Sequence, residues 1–284
     1  MLKYTLLGGF NLDGLDQGTV LSGLRSDKYP GIPCYGIVIT ASCDISNDKV
    51  AKLYFLTGVD AKRWFCTEYA YHQVYDVKIK KLFKSVEELC EQFSLDADAI
   101  QDFTPEEVKA VIDGTIAQEK DRDQFERRYQ DYATYCRPGM DDEARGQAIR
   151  QDTKPAVTFL KEIGKERILH FFYLPKAAYL KNSSLMDDGL IVDLQEIGSI
   201  SMQDARQITG LGIDNLILVG TNEEEYTQLC SRYWLEGEED FVGIEGDVVP
   251  PWREHLMQRF MRDFDRIGLN GATGQDYETL VKRI

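Results

Sequence analysis

Apolar residues come in short runs near the start of the chain and at helical spacing further along. Thr19–Leu24, Tyr35–Ser42 and Ala51–Val59 are rich in β-branched and aromatic residues and are punctuated by Gly, Pro, Asn and Asp, the pattern of short strands joined by turns. Gly31-Ile32-Pro33 leads into the second run, and Ser46-Asn47-Asp48 supplies its turn. Strands this close together predict a small antiparallel β-barrel or sheet over residues 1–82.

The pattern then becomes helical. Ser85-Val86-Glu87-Glu88 has the hydroxyl–carboxylate spacing of a capping box. Thr104-Pro105-Glu106-Glu107 adds Pro at the first helical position and acids facing the positive helix end. Asp121–Cys136 reads as a helix stopped by Arg137-Pro138-Gly139. Pro155 opens another, with Val157, Leu160 and Ile163 on one side and Gly164 as its stop. Residues 83–165 are therefore expected to be a helical block or insertion.

Residues 166–284 read as a mixed α/β part. Ile168–Leu174 and Leu190–Leu194 are expected as buried strands with a long loop between them, and Ser201 caps a short helix. Asn215–Val219 is a strand or a short apolar helix, and 222–235 is a helix. The acidic run 237–247 reads as a solvated loop. A long amphipathic helix opens at Pro251 and closes at Gly268. Its apolar half holds Trp252, Leu256, Met257, Phe260, Met261, Phe264 and Ile267, with Arg253 among them. The predicted class is α+β: N-terminal small β-barrel, central helical block, C-terminal mixed α/β part.

Composition narrows the field. With 284 residues, 43% of them apolar, the chain can bury a packed core. It has no 18-residue apolar run, so no transmembrane helix is expected. Its opening, MLKYTLLGGFNLDG, lacks a signal-peptide pattern, so a cytoplasmic location is expected. Six widely spaced cysteines predict free thiols rather than a disulfide framework. A net charge of −15 argues against general affinity for nucleic-acid phosphates or anionic membranes. It is compatible with a protein partner.

Candidate chemistry centres on GIVITASCDISNDK, residues 36–49. Cys43 beside Asp44 is open to three uses. It can be a nucleophile served by His72, or a ligand with Cys34, Cys66 and His72 in a Cys3His zinc site. It can also be a small buried residue at a strand end, with Asp44 capping the turn. On the last helix, His255, Arg259, Arg262 and Arg266 fall on one ridge by 4,3,4 spacing. Such a ridge suits a phosphate or an acidic partner, or pairs with the chain's own acids. Asp187, Asp188 and Asp193 flank the strand LIVDL, where acids can hold the metals of a nuclease. His170 in ILHFFYL reads as a core residue, and Ile208–Ile213 as a loop.

Gln17-Gly18-Thr19-Val20 followed by Pro33-Cys34-Tyr35-Gly36-Ile37-Val38-Ile39-Thr40 resembles the strand layout of the MazF/PemK-type toxins over residues 15–60. The resemblance implies a similar small barrel. It does not carry RNA cleavage over, because the family's Asp and Arg-Pro are replaced by Gln17-Gly18-Thr19 and Ile32-Pro33. The Ser-Cys-Asp run and the Pro-Trp-Arg-Glu-His-Leu helix resemble runs in bacterial proteins, some of which lie near phage-defence genes. The expected function is an interaction or regulatory protein with a protein partner. The alternatives are an enzyme, by Cys43/His72 or by metal-dependent nuclease chemistry, and an acidic mimic of nucleic acid.

Overall fold

The computed structural model describes residues 7–8, 15–175, 189–206 and 244–265. Its class is mixed α+β, as expected, with a curled antiparallel half-barrel sheet. The seven strands are β1 (Leu7–Gly8), β2 (Thr19–Leu24), β3 (Cys34–Val38), β4 (Lys52–Asp60), β5 (Phe171–Leu174), β6 (Leu190–Ser201) and β7 (Ile244–Val248), in the order β1-β7-β2-β3-β4-β6-β5. The N-terminal strands therefore do not close on themselves. β2 pairs β3 on one side and β7 on the other, with Thr19 opposite Asp247. Thr19 Oγ1 donates to Asp247 Oδ1 at 2.6 Å, which seats residues from the acidic run in the sheet.

Chain contacts group into two units. The sheet unit comprises residues 1–58, 168–187 and 192–284, and the helical unit comprises 59–167 with 188–191.

In the sheet unit, Phe55 on β4 lies across two glycines. A Cβ placed on Gly36 of β3 would meet the Phe55 ring at 2.8 Å, and one on Gly198 of β6 would run into the same ring. The flanking strands are bare at those points so that one aromatic ring can cover both backbones. The Asp193 carboxylate is 1% exposed and accepts Lys28 Nζ at 2.5 Å and the Tyr29 hydroxyl at 2.7 Å. The Gln195 amide donates to its second oxygen at 3.0 Å. Asp193 thus faces an ammonium group and a hydroxyl inside the sheet unit. Asp187 and Asp188 lie outside the described residues.

The helical unit holds α2 (Ala61–Cys66), α3 (Glu68–Phe93), α4 (Ala97–Gln101), α5 (Pro105–Thr115), α6 (Glu119–Ala133), α7 (Asp142–Gln151) and α8 (Lys154–Gly164), while α1 (Ser42–Ser46) belongs to the sheet unit. Thr104 and Glu107 form the expected capping box on α5, and Pro155 sits in the first turn of α8. Ser85 does not open a helix. It lies inside α3, where its hydroxyl donates to the Leu82 carbonyl at 2.7 Å. α3 begins well before 83, within the stretch expected as β. Tyr75-Asp76-Val77-Lys78-Ile79 alternates as a strand would, yet Tyr75 and Ile79 are buried while Val77 is 81% exposed, the four-residue step of a helix. Thr67 decides the matter by capping α3, accepting the Ala70 amide at 3.2 Å. Tyr71, Tyr75, Ile79, Val86 and Leu89 of α3 then pack with Val108 and Ile112 of α5 and with Phe125, Tyr129 and Tyr132 of α6.

The last described helix, α9 (Trp252–Asp265), starts one residue after the expected Pro251. Among the described residues no helix is long and apolar enough to cross a membrane. The features expected at 208–213, 215–219 and 222–235, and Cys230, lie outside the described residues.

The Phe55 arrangement predicts a specific cost. Gly198→Ala should destabilise the protein by about 1–3 kcal/mol through overpacking, and Phe55→Leu in the same chain should recover part of that loss. Urea unfolding of the single and double variants measures it, and simple additivity would contradict the contact.

Candidate functional site

Cys43 lies not at a strand end but on α1, because β3 stops at Val38. Its side chain is exposed, so the expectation of a small buried residue is corrected. The Cys43 thiol lies 3.7 Å from the Asp44 carboxylate, and the Cys43 carbonyl accepts Asn47 Nδ2 at 2.6 Å. The turn is therefore closed by Asn47 and by backbone bonds rather than by an Asp44 cap. Cys34 is buried on β3, where burial pushes its thiol up to about 12. Cys66 closes α2 in the helical unit, and burial raises its thiol too. His72 is exposed on the second turn of α3, with its ring edge-on to Tyr71 at 6.1 Å. Among the described residues no three His, Cys, Asp or Glu side chains gather to hold a metal ion. The four residues of the possible zinc set divide between the two units, Cys34 and Cys43 in the sheet unit and Cys66 and His72 in the helical unit.

The arginine ridge also divides. Arg259 is 3% exposed, and its Nη2 donates to the carbonyls of Ile168, Leu169 and Phe171 at 3.2, 3.5 and 3.4 Å. It docks α9 on β5 instead of lining a surface ridge. His255 and Arg262 are exposed, His255 edge-on to Phe172 at 5.1 Å, and Arg266 lies outside the described residues. Arg253 is half-buried and pairs with the adjacent Glu254 at 3.0 Å.

His72 instead lines a cavity of about 310 Å³ wholly within the helical unit. Two of its lining residues, Tyr71 and Tyr135, belong to an aromatic stack. Tyr71 stacks on Tyr75 at 4.8 Å, Tyr75 stacks on Tyr135 at 6.0 Å, and Lys78 Nζ sits 3.8 Å over the Tyr135 ring. Hydrogen bonds hold the stack, the Tyr71 hydroxyl donating to the Tyr135 carbonyl at 3.0 Å and the Tyr75 hydroxyl to the Asp152 carbonyl at 2.6 Å. Lys78 pairs with Asp152, and that hydrogen bond is the main reason the Asp152 carboxyl lies below its ordinary value.

The wall is set by Arg145, whose side chain is 12% exposed. Its Nε donates to the Cys66 carbonyl at 2.6 Å, Nη1 to the Met140 carbonyl and Nη2 to Asp142. One planar guanidinium thus ties the end of α2, the loop before α7 and the first turn of α7. At the rim stand Glu68, His72 and Arg137, all exposed. None of the three side chains makes a hydrogen bond or ion pair within the described residues.

The sequence analysis singled out His72 and missed Arg137, Arg145 and the tyrosines. Arg137-Pro138-Gly139 was legible as a helix stop. Its position beside the α3 N-terminus depends on packing between segments about sixty residues apart. Comparison with protein-family models, curated proteins and solved structures gives no match.

Two outcomes follow from these environments. Burial raises the phenols of Tyr71, Tyr75 and Tyr132, and that of Tyr129 to about 12. A raised phenol favours the neutral folded form. Its stabilisation is complete below the ordinary tyrosine value near 10 and is lost as pH rises through the folded values. Phenolate absorbance should therefore rise together with loss of helical circular dichroism above about pH 10. Ionisation of these phenols with the helices intact would contradict it. In thiol mapping with iodoacetamide at neutral pH, Cys43 should label before Cys34 and Cys90, whose thiols are pushed up to about 12 and about 11. Equal rates would contradict the burial of those two.

Proposed function

We propose that this chain is a regulatory binding protein that engages a protein partner through the helical unit, with one group of the partner seated in the Tyr71–Arg137 pocket. The observation that carries this reading is the set of uncommitted side chains, Glu68, His72 and Arg137, around a cavity lined by Tyr71 and Tyr135 of the tyrosine stack. By contrast, the buried Asp193 is engaged by Lys28 and Tyr29, and the buried Arg259 by three carbonyls. A cavity of about 310 Å³ is at the small end of the range for ligand pockets, about 300–1,000 Å³, so it suits a single side chain or a small molecule.

The enzymatic alternatives draw less support. A nucleophilic thiol needs a lowered pKa, and those of Cys34, Cys66 and Cys90 are raised. Cys43 sits in the sheet unit and His72 in the helical unit. The nuclease alternative loses Asp193, whose carboxylate is taken up by a lysine and a tyrosine.

Photo-crosslinking tests the proposal. A benzoylphenylalanine in place of His72 should capture one stoichiometric partner in the source cells, and the same residue in place of exposed Lys120 should not. Equal capture at both positions, or none at position 72, would count against it.

A further inference from the structure

We infer that the pocket of the helical unit is an anion site: it takes a carboxylate or phosphate group carried on a small apolar body. This rests on the reading of that pocket as the recognition site and names the chemistry it selects. The chain has 48 acidic against 33 basic residues, yet Arg137, Arg145 and His72 converge on this one cavity, with Glu68 the single acid lining it. Arg145 is already engaged by two carbonyls and Asp142. Arg137 is not, and its guanidinium has its planar fork of donors available for a carboxylate or phosphate. His72 offers a further ring nitrogen at the same rim. Below them, Tyr71, Tyr135 and Met140 present apolar surface suited to a ring or a short aliphatic body.

The size of the cavity limits the ligand. At about 30 Å³ per water in the liquid, about 310 Å³ corresponds to roughly ten waters. That is room for a benzoate-sized group. The same group can arrive on a free small molecule or on one residue of a peptide, as a phosphorylated tyrosine or a C-terminal aromatic residue would carry it.

The test is titration calorimetry with four probes of similar bulk: phenyl phosphate, benzoate, benzyl alcohol and benzyltrimethylammonium. Wild type, Arg137→Ala, Arg137→Lys and the surface control Lys120→Ala are compared, with circular dichroism confirming the fold of each. The two anions should bind at least about tenfold more tightly than the alcohol and the ammonium. Arg137→Ala should cost the anions about tenfold or more, the scale of a lost hydrogen bond to a charged group. Arg137→Lys should retain part of the affinity, and Lys120→Ala all of it. Two further arms separate the sources. A phosphotyrosine peptide that binds more tightly than phenyl phosphate points to a partner's side chain, and the reverse order points to a free small molecule.

Binding of all four probes alike, or anion binding indifferent to Arg137→Ala, overturns the anion site while leaving the pocket as a recognition site. Absence of binding by every probe and peptide also overturns it. The crosslinking result at position 72 then decides separately whether the recognition reading stands.

Discussion

The candidate site depends on the guanidinium of Arg145. Three stretches of backbone meet there without a shared hydrogen-bond ladder: the end of α2, the loop before α7 and the first turn of α7. One Arg, largely out of water, donates to the Cys66 and Met140 carbonyls and to the exposed Asp142 carboxylate. A planar fork can reach several acceptors at fixed angles, whereas a lysine ammonium is a point charge on a flexible stem. With that junction fixed, the Arg137-Pro138-Gly139 loop stands opposite the first turns of α3, and a cavity is left between them. The stacked tyrosines beside it are held by hydroxyls tied to the backbone carbonyls of Tyr135 and Asp152.

The sheet unit solves a related problem by similar means. Arg259 brings a cation to three carbonyls around the start of β5, and Lys28 brings one to the buried Asp193. Both leave a long side chain satisfied at its charged end and packed along its stem. In the centre of the sheet no charge is used. Phe55 lies against Gly36 and Gly198, one ring in close approach to two bare backbones. The polar groups of the sheet unit with partners given above are spent on structure. The side chains of Glu68, His72 and Arg137 at the pocket rim carry the proposed recognition role.

Local signals in the sequence read well. The run Thr19–Leu24 is β2 to the residue, the Thr104–Glu107 box caps α5, and Pro155 lies in the first turn of α8. What failed was whatever depended on distant partners or on competing periods. Tyr75 to Ile79 alternates like a strand, and only the Thr67 cap and the burial of every fourth residue reveal α3. β7 was hidden in an acidic run because its pairing with β2 joins residues more than two hundred apart. Arg259 looked like one of a row of surface charges, since helical spacing gives the face and not what covers it. Of the site, His72 alone was visible beforehand, and it was placed in the β region rather than on α3.

The measurement that bears most directly on this account is hydrogen–deuterium exchange of Arg145→Lys against wild type. The account predicts faster exchange confined to the loop around 137–141 and the first turn of α7, with loss of phenyl phosphate binding, while the buried faces of α3 and α6 stay protected. Unchanged exchange in that loop, with binding intact, would contradict the claim that one guanidinium holds the pocket together.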